Sequence, residues 1–437
     1  MRLESPVRIA HVESLDQEGR GVAHHDGKVI FIAGALPGET VEYSPYQRKP
    51  TYELAEAVQV LTASSSRVAP RCPHFGLCGG CSQQHMELRA QVAAKQRVLE
   101  DSLARIGKVR PETMLPPIHG PDWQYRYRAR LSARYVHKKQ KLLLGFHERR
   151  SSFVADMDSC EVMPARISAL MEPLRLLIDS LTIRERLPQV EIAIGDAVDV
   201  LVLRVLDAPS PEDEGKLREF ADRYRIQFFL QSRGPETAVP FHPVQAPELR
   251  YAIPDFGLVF PFSPTDFTQV NHEINRVLVR RAISLLDPQP GERVADLFCG
   301  LGNFSLAIAR RGARVFGVEG NERLVKKARE NAQFNGLGGD CEFAVRNLFE
   351  ITGEDWSRFG AFDKVLIDPP RDGAIEVVKA IGDAPPARIV YVSCSPATLA
   401  RDAEVLVNKH GYRLAAAGII NMFPHTSHVE SIALFDR

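Results

Sequence analysis

A thiol and a carboxylate near the C-terminal end of this 437-residue chain are placed where they could do covalent chemistry. Cys394 follows the apolar run ARIVYVS and precedes the start of a helix, whose N-terminus lowers a thiol pKa and favours the thiolate. Glu430 stands just ahead of a terminal apolar strand, SIALF. Singly, such residues are usually a buried structural cysteine and a solvated edge carboxylate. Together they predict a nucleophile and a general base.

A glycine turn upstream of the thiol predicts a binding site for a nucleotide-like ligand. The stretch VADLFCGLGNF, residues 294–304, indicates a buried strand, a tight turn and an apolar helix. This order is typical of a doubly wound sheet, which brings bare backbone close to a ligand. The next strand ends in Glu319, which could bind both hydroxyls of a ribose. Because GLGN is not the full dinucleotide fingerprint, the turn favours a single adenosine moiety over a nicotinamide cofactor.

A third apolar strand ends in Asp368-Pro369-Pro370-Arg371, where the prolines predict a stiff loop that presents Asp368 to a flat, polar substrate. A bare DPP is also a common strand-ending turn. In series with the two preceding strands, however, it resembles the Rossmann-like α/β fold of class I methyltransferases that use S-adenosylmethionine. Such a fold would place a methyl donor beside Cys394 and Glu430.

These groups together suit methylation of a pyrimidine at C5. The C5 carbon of uracil is too weak a nucleophile to take a methyl group until a thiolate adds to C6. C5 can then attack a sulfonium methyl group, and a base must afterwards remove the C5 proton so that the thiolate leaves. We therefore predict Cys394 as the nucleophile and Glu430 as the base.

Length and composition indicate a cytoplasmic protein of two or three domains. No apolar run reaches membrane-spanning length, and the first ten residues are not a signal peptide. In the cytoplasm the seven cysteines are unlikely to form disulfides. A net charge of zero argues against binding nucleic acid by bulk charge but leaves room for a local basic surface. We expect a monomer with no membrane partner.

The predicted domains are 1–62, 63–255 and 256–437. Short strand-like runs separated by turn residues make 1–62 a small β-barrel, which resembles the RNA-binding TRAM domain. The central part, 63–255, mixes helices and strands. Its basic residues Arg126, Arg128, Arg130 and Arg134 recur with strand period, which predicts a cationic face for RNA. A solvated strand face is the alternative.

Four cysteines predict a metal centre in the central domain. Cys72, Cys78 and Cys81 have the spacing C-x5-C-x2-C, and Cys160 follows in DMDSCEVM. Four thiols suit a [4Fe–4S] cluster or a structural zinc ion. Gly79 and Gly80 leave room for a bulky cluster, and zinc sites more often use two CxxC pairs. Free buried cysteines remain the third reading.

The chain resembles the RNA uracil-C5 methyltransferase family through the segments FTQVN, DLFCGLGNFS, GVEGNERLV, IDPPRDG, YVSCSPATLARD and HVESIALF, in that order. With the barrel and the cysteines, it is similar to the members that act on bacterial 23S ribosomal RNA. The resemblance implies Cys394 as nucleophile, Glu430 as proton acceptor, and S-adenosylmethionine as cofactor. It also implies a [4Fe–4S] cluster held by Cys72, Cys78, Cys81 and Cys160, and cofactor contacts from Gln269, Phe298, Asn303, Glu319, Asn347 and Asp368.

Three other functions stay open at this point. The first is C5 methylation of a uridine in transfer RNA. The second is a catalytically silent Fe–S module that binds RNA, against which the intact Cys394 and Glu430 argue. The third is N-methylation of adenine or guanine, which also uses DPP loops. Those enzymes usually place an aromatic residue after the prolines, whereas this chain has Arg371, and their chemistry leaves Cys394 without a role.

Overall fold

Strands with alternating apolar and polar residues build the N-terminal barrel in the computed structural model, which describes residues 7–382 and 384–437. The order in the sheet is β1-β5-β6-β4-β3-β2, and β2 follows directly from β1, so the sheet closes around Val12, Ile32 and Tyr43. The predicted barrel is confirmed. Its strands are β1 (Arg8–His11), β2 (Ser14–Leu15), β3 (Gly21–His25), β4 (Lys28–Ala33), β5 (Thr40–Arg48) and β6 (Tyr52–Thr62).

A long helix follows the linker after the barrel. This helix, α1, spans Leu88–Ser102 and continues as one π-helical turn, Leu103–Gly107. A short strand, β7 (Thr113–Met114), comes next.

A six-stranded mixed sheet with helices on one face forms the central region. Its order is β13-β12-β11-β10-β8-β9, and its covered face buries Leu131, Leu174, Leu203 and Phe228 in one core. A separate hairpin, β14–β15, leads to the C-terminal part. The elements are β8 (Arg128–Val136), β9 (Lys141–Gly145), α2 (Ala165–Ser168), α3 (Met171–Asp179), β10 (Gln189–Ile194), β11 (Asp199–Arg204), α4 (Pro211–Tyr224), β12 (Gln227–Gln231), β13 (Val239–His242), β14 (Arg250–Ile253) and β15 (Leu258–Pro261).

The predicted cationic strand face is only partly present. Arg130 and Arg134 are exposed, although Arg130 pairs with Glu191 at 2.9 Å. Arg128 points inwards, and its Nη1 atom is buried without a partner. The reason is that the C-terminal part of the chain covers this end of the sheet. Ala193, the cross-strand partner of Arg128, lies in one apolar core with Leu278 and Val294.

An eight-stranded sheet in the order β18-β17-β16-β19-β20-β22-β21-β7 forms the catalytic region. Strands β16 to β20 are parallel, and β22 enters antiparallel between β20 and β21. Apolar cores lie on both faces, so the predicted doubly wound fold is confirmed. The elements are α5 (His272–Leu286), β16 (Arg293–Leu297), α6 (Ser305–Ala309), β17 (Arg314–Glu319), α7 (Glu322–Phe334), β18 (Cys341–Val345), α8 (Gly353–Phe359), β19 (Lys364–Ile367), α9 (Ile375–Ile381), β20 (Arg388–Ser393), α10 (Pro396–Asn408), β21 (Arg413–Ile420) and β22 (Glu430–Asp436).

Residues 88–114 pack with the catalytic sheet, although they fall inside the predicted central domain. Leu99 and Leu103 share a core with α10, and β7 pairs with β21 at the edge of the large sheet. Gly107 lies so close to α10 that an added Cβ would stand 2.6 Å from the carbonyl oxygen of Ala400. Helix α1 therefore ties the linker after the barrel to the catalytic region.

Candidate active site

Three chemically active side chains meet at the carboxyl edge of the large sheet. Ser393, the last residue of β20, pairs with Ser431 of the antiparallel strand β22. Cys394 and Glu430 are the next residues outward, so they stand opposite each other at the end of this ladder. Asp368 follows β19, the parallel neighbour of β20. The structure thus brings together three residues that the sequence predicted for one site.

Cys394 occupies the turn between β20 and α10. The Ser393 hydroxyl accepts from the backbone N–H of Ser395 at 3.1 Å, and Ser395 caps α10. The low pKa that the sequence predicted for the Cys394 thiol is wrong. Burial, and after it the charges of Glu430 and Asp368, raise the pKa of Cys394 to about 11, although the charge of Arg371 opposes this shift. The thiol is therefore protonated before a substrate binds.

Glu430 is only 8% exposed, unlike an edge carboxylate. Burial raises its pKa to about 7 against the opposing positive charges of Arg371 and Lys95. Asp368 has a pKa raised well above its usual range by burial and by the carboxylates of Glu430 and Asp296. A carboxyl group that titrates near neutral pH suits a general base.

A cleft of about 930 Å³ leads from Cys394 to solvent between the barrel and the catalytic region. Arg20 and Tyr46 line its barrel side, and Arg371 and His428 line its catalytic side. Arg371 Nη2 lies 3.0 Å from His428 Nδ1. The cleft is large enough for a nucleotide and carries cationic and aromatic groups.

The glycine turn after β16 has the backbone of a ligand loop. Phe298, Gly300 and Gly302 have φ values of 64°, 55° and 94°. A side chain at Gly302 would also collide with Leu306, since an added Cβ would lie 2.7 Å from its Cδ1. Glu319 reaches across from the end of β17, where Oε2 accepts from the N–H of Gly300 at 3.2 Å. The turn and the carboxylate are therefore held together, as predicted from their strands.

The other predicted cofactor residues lie around this turn in different settings. Asn347 is exposed. Phe349, two residues later, packs against Phe298, and the centroids of the two rings are 5.6 Å apart. Gln269 is half-buried in the loop before α5. The Asn303 amide is already engaged, because its Oδ1 accepts from Tyr251 Oη at 2.9 Å and from Asn275 Nδ2 at 3.0 Å. Contact of these side chains with a cofactor stays a prediction.

Comparison with known proteins identifies the family of this chain and the domain type of its barrel. A sequence model of the tRNA (Uracil-5-)-methyltransferase family matches residues 87–437. The chain belongs to this family. A TRAM domain model matches residues 7–42 of the barrel. No helix of the described residues, 7–382 and 384–437, is long and apolar enough to cross a membrane.

Relatives of this family match along the whole chain. The 23S rRNA (uracil(1939)-C(5))-methyltransferase RlmD of Nitrosospira multiformis is 63% identical, covering 100% of this chain and 99% of the relative. RlmD of Dechloromonas aromatica is 59% identical, covering 98% and 99%. The structure of Pyrococcus abyssi tRNA (uracil-54, C5)-methyltransferase with S-adenosyl-L-homocysteine has a TM-score of 0.73 at 24% identity, covering 98% and 100%. At that identity the likeness shows the fold.

The four cysteines of the predicted metal centre line one cavity of about 230 Å³. Burial raises the thiol pKa values of Cys81 and Cys160 to about 11 and about 12, and neighbouring thiols add to both shifts. All four cysteines are free. Within the described part of the chain, however, no three Cys, His, Asp or Glu side chains have an arrangement that holds a metal ion. The cysteines are gathered, but a metal centre is not shown.

Two buried polar residues near Glu430 were not predicted from the sequence. Gln91 and Lys95 of α1 are 0% and 1% exposed, and both contact the loop 421–429 that precedes Glu430. Their spacing of four residues, on the same helix face as the buried Leu99, was the available signal.

Proposed function

We propose that this family member transfers a methyl group from S-adenosylmethionine to C5 of a uridine in 23S ribosomal RNA. One observation carries the proposal: Cys394 and Glu430 face each other across adjacent strand ends beside the glycine turn. The 63% identity to an RlmD that spans nearly the same length favours ribosomal RNA over transfer RNA as the substrate. A ribosomal RNA substrate also agrees with the cytoplasmic location expected from the sequence.

The chemistry assigns one step to each side chain. The Cys394 thiol loses its proton to water in the open cleft, and its sulfur bonds to C6 of the uracil. Electron density then moves to C5 and O4, and C5 takes the methyl group that S-adenosylmethionine supplies. Glu430 removes the C5 proton, after which the C6–S bond breaks and the thiolate is regenerated. Arg371 assists the first and third steps, because its charge favours the ionised forms of both Cys394 and Glu430.

S-adenosylmethionine would bind along the turn from Phe298 to Gly302. The positive φ values hold the chain in a tight turn that a ligand can approach closely, and Glu319 is placed to accept from ribose hydroxyls. We propose side-chain contacts from Gln269, Phe298, Asn303, Asn347 and Asp368 as well. Since the amide of Asn303 is already bonded to Tyr251 and Asn275, its contribution would come chiefly from holding α5 against the turn.

We also propose that Cys72, Cys78, Cys81 and Cys160 hold a [4Fe–4S] cluster. The support is a set of four thiols that share one cavity, with Gly79 and Gly80 in its wall. A cluster would join the loop 72–81 to the segment around Cys160, as metal binding commonly stabilises a fold. The thiolate chemistry requires no electron transfer, so the cluster would have a structural role. A zinc ion is the alternative occupant of the same thiols.

The barrel would bind the RNA that flanks the target uridine. Arg20 and Tyr46 place a cation and an aromatic ring of the barrel in the catalytic cleft. Such groups suit phosphates and exposed bases. We further propose that the chain acts as a monomer whose parts are 1–62, 63–255 and 256–437, with residues 88–114 of the second part packed on the third.

Transfer of a labelled methyl group to unmodified 23S ribosomal RNA tests this function. The wild-type protein should form 5-methyluridine at one position, found by mass spectrometry of RNA fragments. Cys394→Ala should be inactive, whereas Cys341→Ala, at the start of β18, should retain activity. Methylation of transfer RNA in place of ribosomal RNA would contradict the substrate assignment, and an active Cys394→Ala variant would contradict the chemistry.

A further inference from the structure

Two buried polar side chains of helix α1 form hydrogen bonds with the loop 421–429. Gln91 Oε1 accepts from the backbone N–H of His425 at 2.8 Å. One turn later, Lys95 Nζ donates to Asn421 Oδ1 and to the carbonyl oxygen of Phe423, both at 2.8 Å. Residues four apart lie on one helix face, so the two side chains together hold the first half of the loop, from Asn421 to His425. The loop joins β21 to β22, whose first residue is Glu430.

The hydrogen bonds of Lys95 lie close to Glu430, the proposed base. Ile420, the last residue of β21, is the cross-strand partner of Glu430. Such partners have Cα atoms about 5 Å apart. Asn421 is the next residue, so the Lys95 ammonium reaches the end of the hairpin where Glu430 stands.

Burying the Lys95 ammonium costs more free energy than a purely structural contact requires. It is 1% exposed, and both of its hydrogen-bond acceptors are uncharged. Taking an ammonium out of water is strongly unfavourable, and a neutral donor would fill the same place at a smaller cost in free energy. Burial lowers the pKa of Lys95 to about 7, and the negative charge of Glu430 opposes this shift. In return, Lys95 lowers the pKa of Glu430.

We propose that Lys95 is a positioning residue for proton abstraction: it fixes the end of the β21–β22 hairpin and holds a positive charge near Glu430. The inference rests on the proposed C5 methylation, because only that chemistry gives Glu430 a proton to remove. Lys95 does not touch the nucleophile or the glycine turn. Its loss should therefore slow the last step and spare the earlier ones.

The charges around Glu430 give the proposal a direction in pH. Arg371 and Lys95 favour its ionised form. Asp368 and Cys394 interact with it unfavourably when they carry negative charge. Product formation should rise with pH as Glu430 ionises near pH 7. Lys95 titrates in the same range, so it carries its charge over the lower part of this rise. Removing that charge raises the Glu430 pKa and moves the rise to higher pH.

The titratable groups that interact with Lys95 are Glu430 and two histidines. Besides Glu430, the side chains that it influences are His425 and His428, whose pKa values it lowers. Arg371 acts on His428 and Glu430 as well. Both histidines titrate below their ordinary range because of burial, so they are neutral near pH 7 and leave Glu430 as the group that responds to Lys95.

Two variants of Lys95 separate its hydrogen bonds from its charge. Lys95→Gln keeps a donor without the charge, and Lys95→Met removes both. The control is Lys379→Gln, the same change at a lysine that is 56% exposed on α9. For each protein, single-turnover reactions would measure two rates and the cofactor affinity. The first rate is adduct formation with RNA that carries 5-fluorouridine, which stops before proton abstraction. The second is release of methylated product from ordinary RNA, followed from pH 5.5 to pH 9 in roughly half-unit steps.

We expect Lys95→Gln and Lys95→Met to form the fluorouridine adduct within about twofold of wild type and to bind the cofactor normally. Their product release should be about tenfold slower at pH 7, with a methylated adduct accumulating and the pH midpoint raised. Unchanged release and midpoint in both variants would overturn the inference. So would an equal loss of adduct formation and release, since that indicates general misfolding. If the wild-type protein itself forms no adduct, the proposed function fails first.

Discussion

The hydroxyl of Tyr391 donates to the carboxylate of Asp402 at 2.7 Å, joining β20, the strand that precedes Cys394, to helix α10. The same oxygen of Asp402 accepts from the backbone N–H of Ala374 at 2.8 Å. Arg401 completes the link, because it donates to Asp402 and to the carbonyl oxygen of Asp372. One buried carboxylate therefore fixes the loop after Asp368 against the helix that begins beside Cys394.

Asp402→Asn should slow adduct formation with fluorouridine RNA by about tenfold, because the amide would turn a donor towards an existing donor and loosen the loop. Stability should fall by about 1–3 kcal/mol. The matched control is Asp363→Asn at the opposite edge of the sheet, where Asp363 accepts from the N–H of Arg293 at 2.8 Å. An adduct rate for Asp402→Asn equal to that of the control would show that Asp402 matters only for folding.

The order of the active-site residues could be predicted because each follows a local pattern. Asp368 and Cys394 come directly after apolar runs, and the carboxyl ends of parallel strands meet at one edge of a sheet. The glycine turn and Glu319 follow the same rule. Glu430 could be placed at the start of the terminal apolar strand, although the register that pairs its neighbour Ser431 with Ser393 appears only in the structure.

Other features depend on contacts between distant segments and could not be predicted. The thiol pKa was expected to be low from the helix N-terminus alone, but burial and two carboxylates from other strands outweigh that effect. Arg128 was assigned to a solvent face because strand period does not tell which neighbour covers that face. For the same reason, the amphipathic pattern of α1 did not show that Lys95 reaches the base.

The buried ion pair between Glu39 and Arg67 should stabilise the barrel against its linker. Glu39 is 0% exposed, and it accepts from Arg67 Nε at 2.5 Å and from the N–H groups of Leu36 and Ser64 at 2.8 and 3.1 Å. Burial opposes ionisation, but these bonds outweigh it and lower the pKa of Glu39. Glu39→Gln should therefore cost about 1–3 kcal/mol at pH 7.

The pH dependence of this loss has a definite sign. A lowered folded-state pKa contributes stability above the unfolded value, near 4.5, and that stability is lost as the pH falls through the folded value. Urea unfolding at pH 7 and pH 3.5 should show a smaller difference between wild type and Glu39→Gln in acid. Glu42→Gln, a half-buried site on β5, is the control. A difference that stays constant or grows in acid would contradict the ionised pair.

Iron content tests the assignment of the four cysteines. Protein purified without oxygen should be brown and carry about four iron and four sulfide per chain. Cys81→Ser should lose this colour and lower stability and RNA affinity, while Cys341→Ser keeps the cluster. A colourless protein with one zinc would reject the cluster and keep a structural metal. A metal-free protein with full stability and activity would reject both.

The most direct test of the account is the fate of Glu430→Gln on ordinary ribosomal RNA. In this variant Cys394 still adds to C6 and the methyl group still moves, but no carboxylate removes the C5 proton. A denaturing gel should then show a covalent protein–RNA adduct that carries one labelled methyl group, which Cys394→Ala combined with Glu430→Gln abolishes. Release of free 5-methyluridine product by Glu430→Gln at the wild-type rate, with no adduct, would contradict the assignment of nucleophile and base.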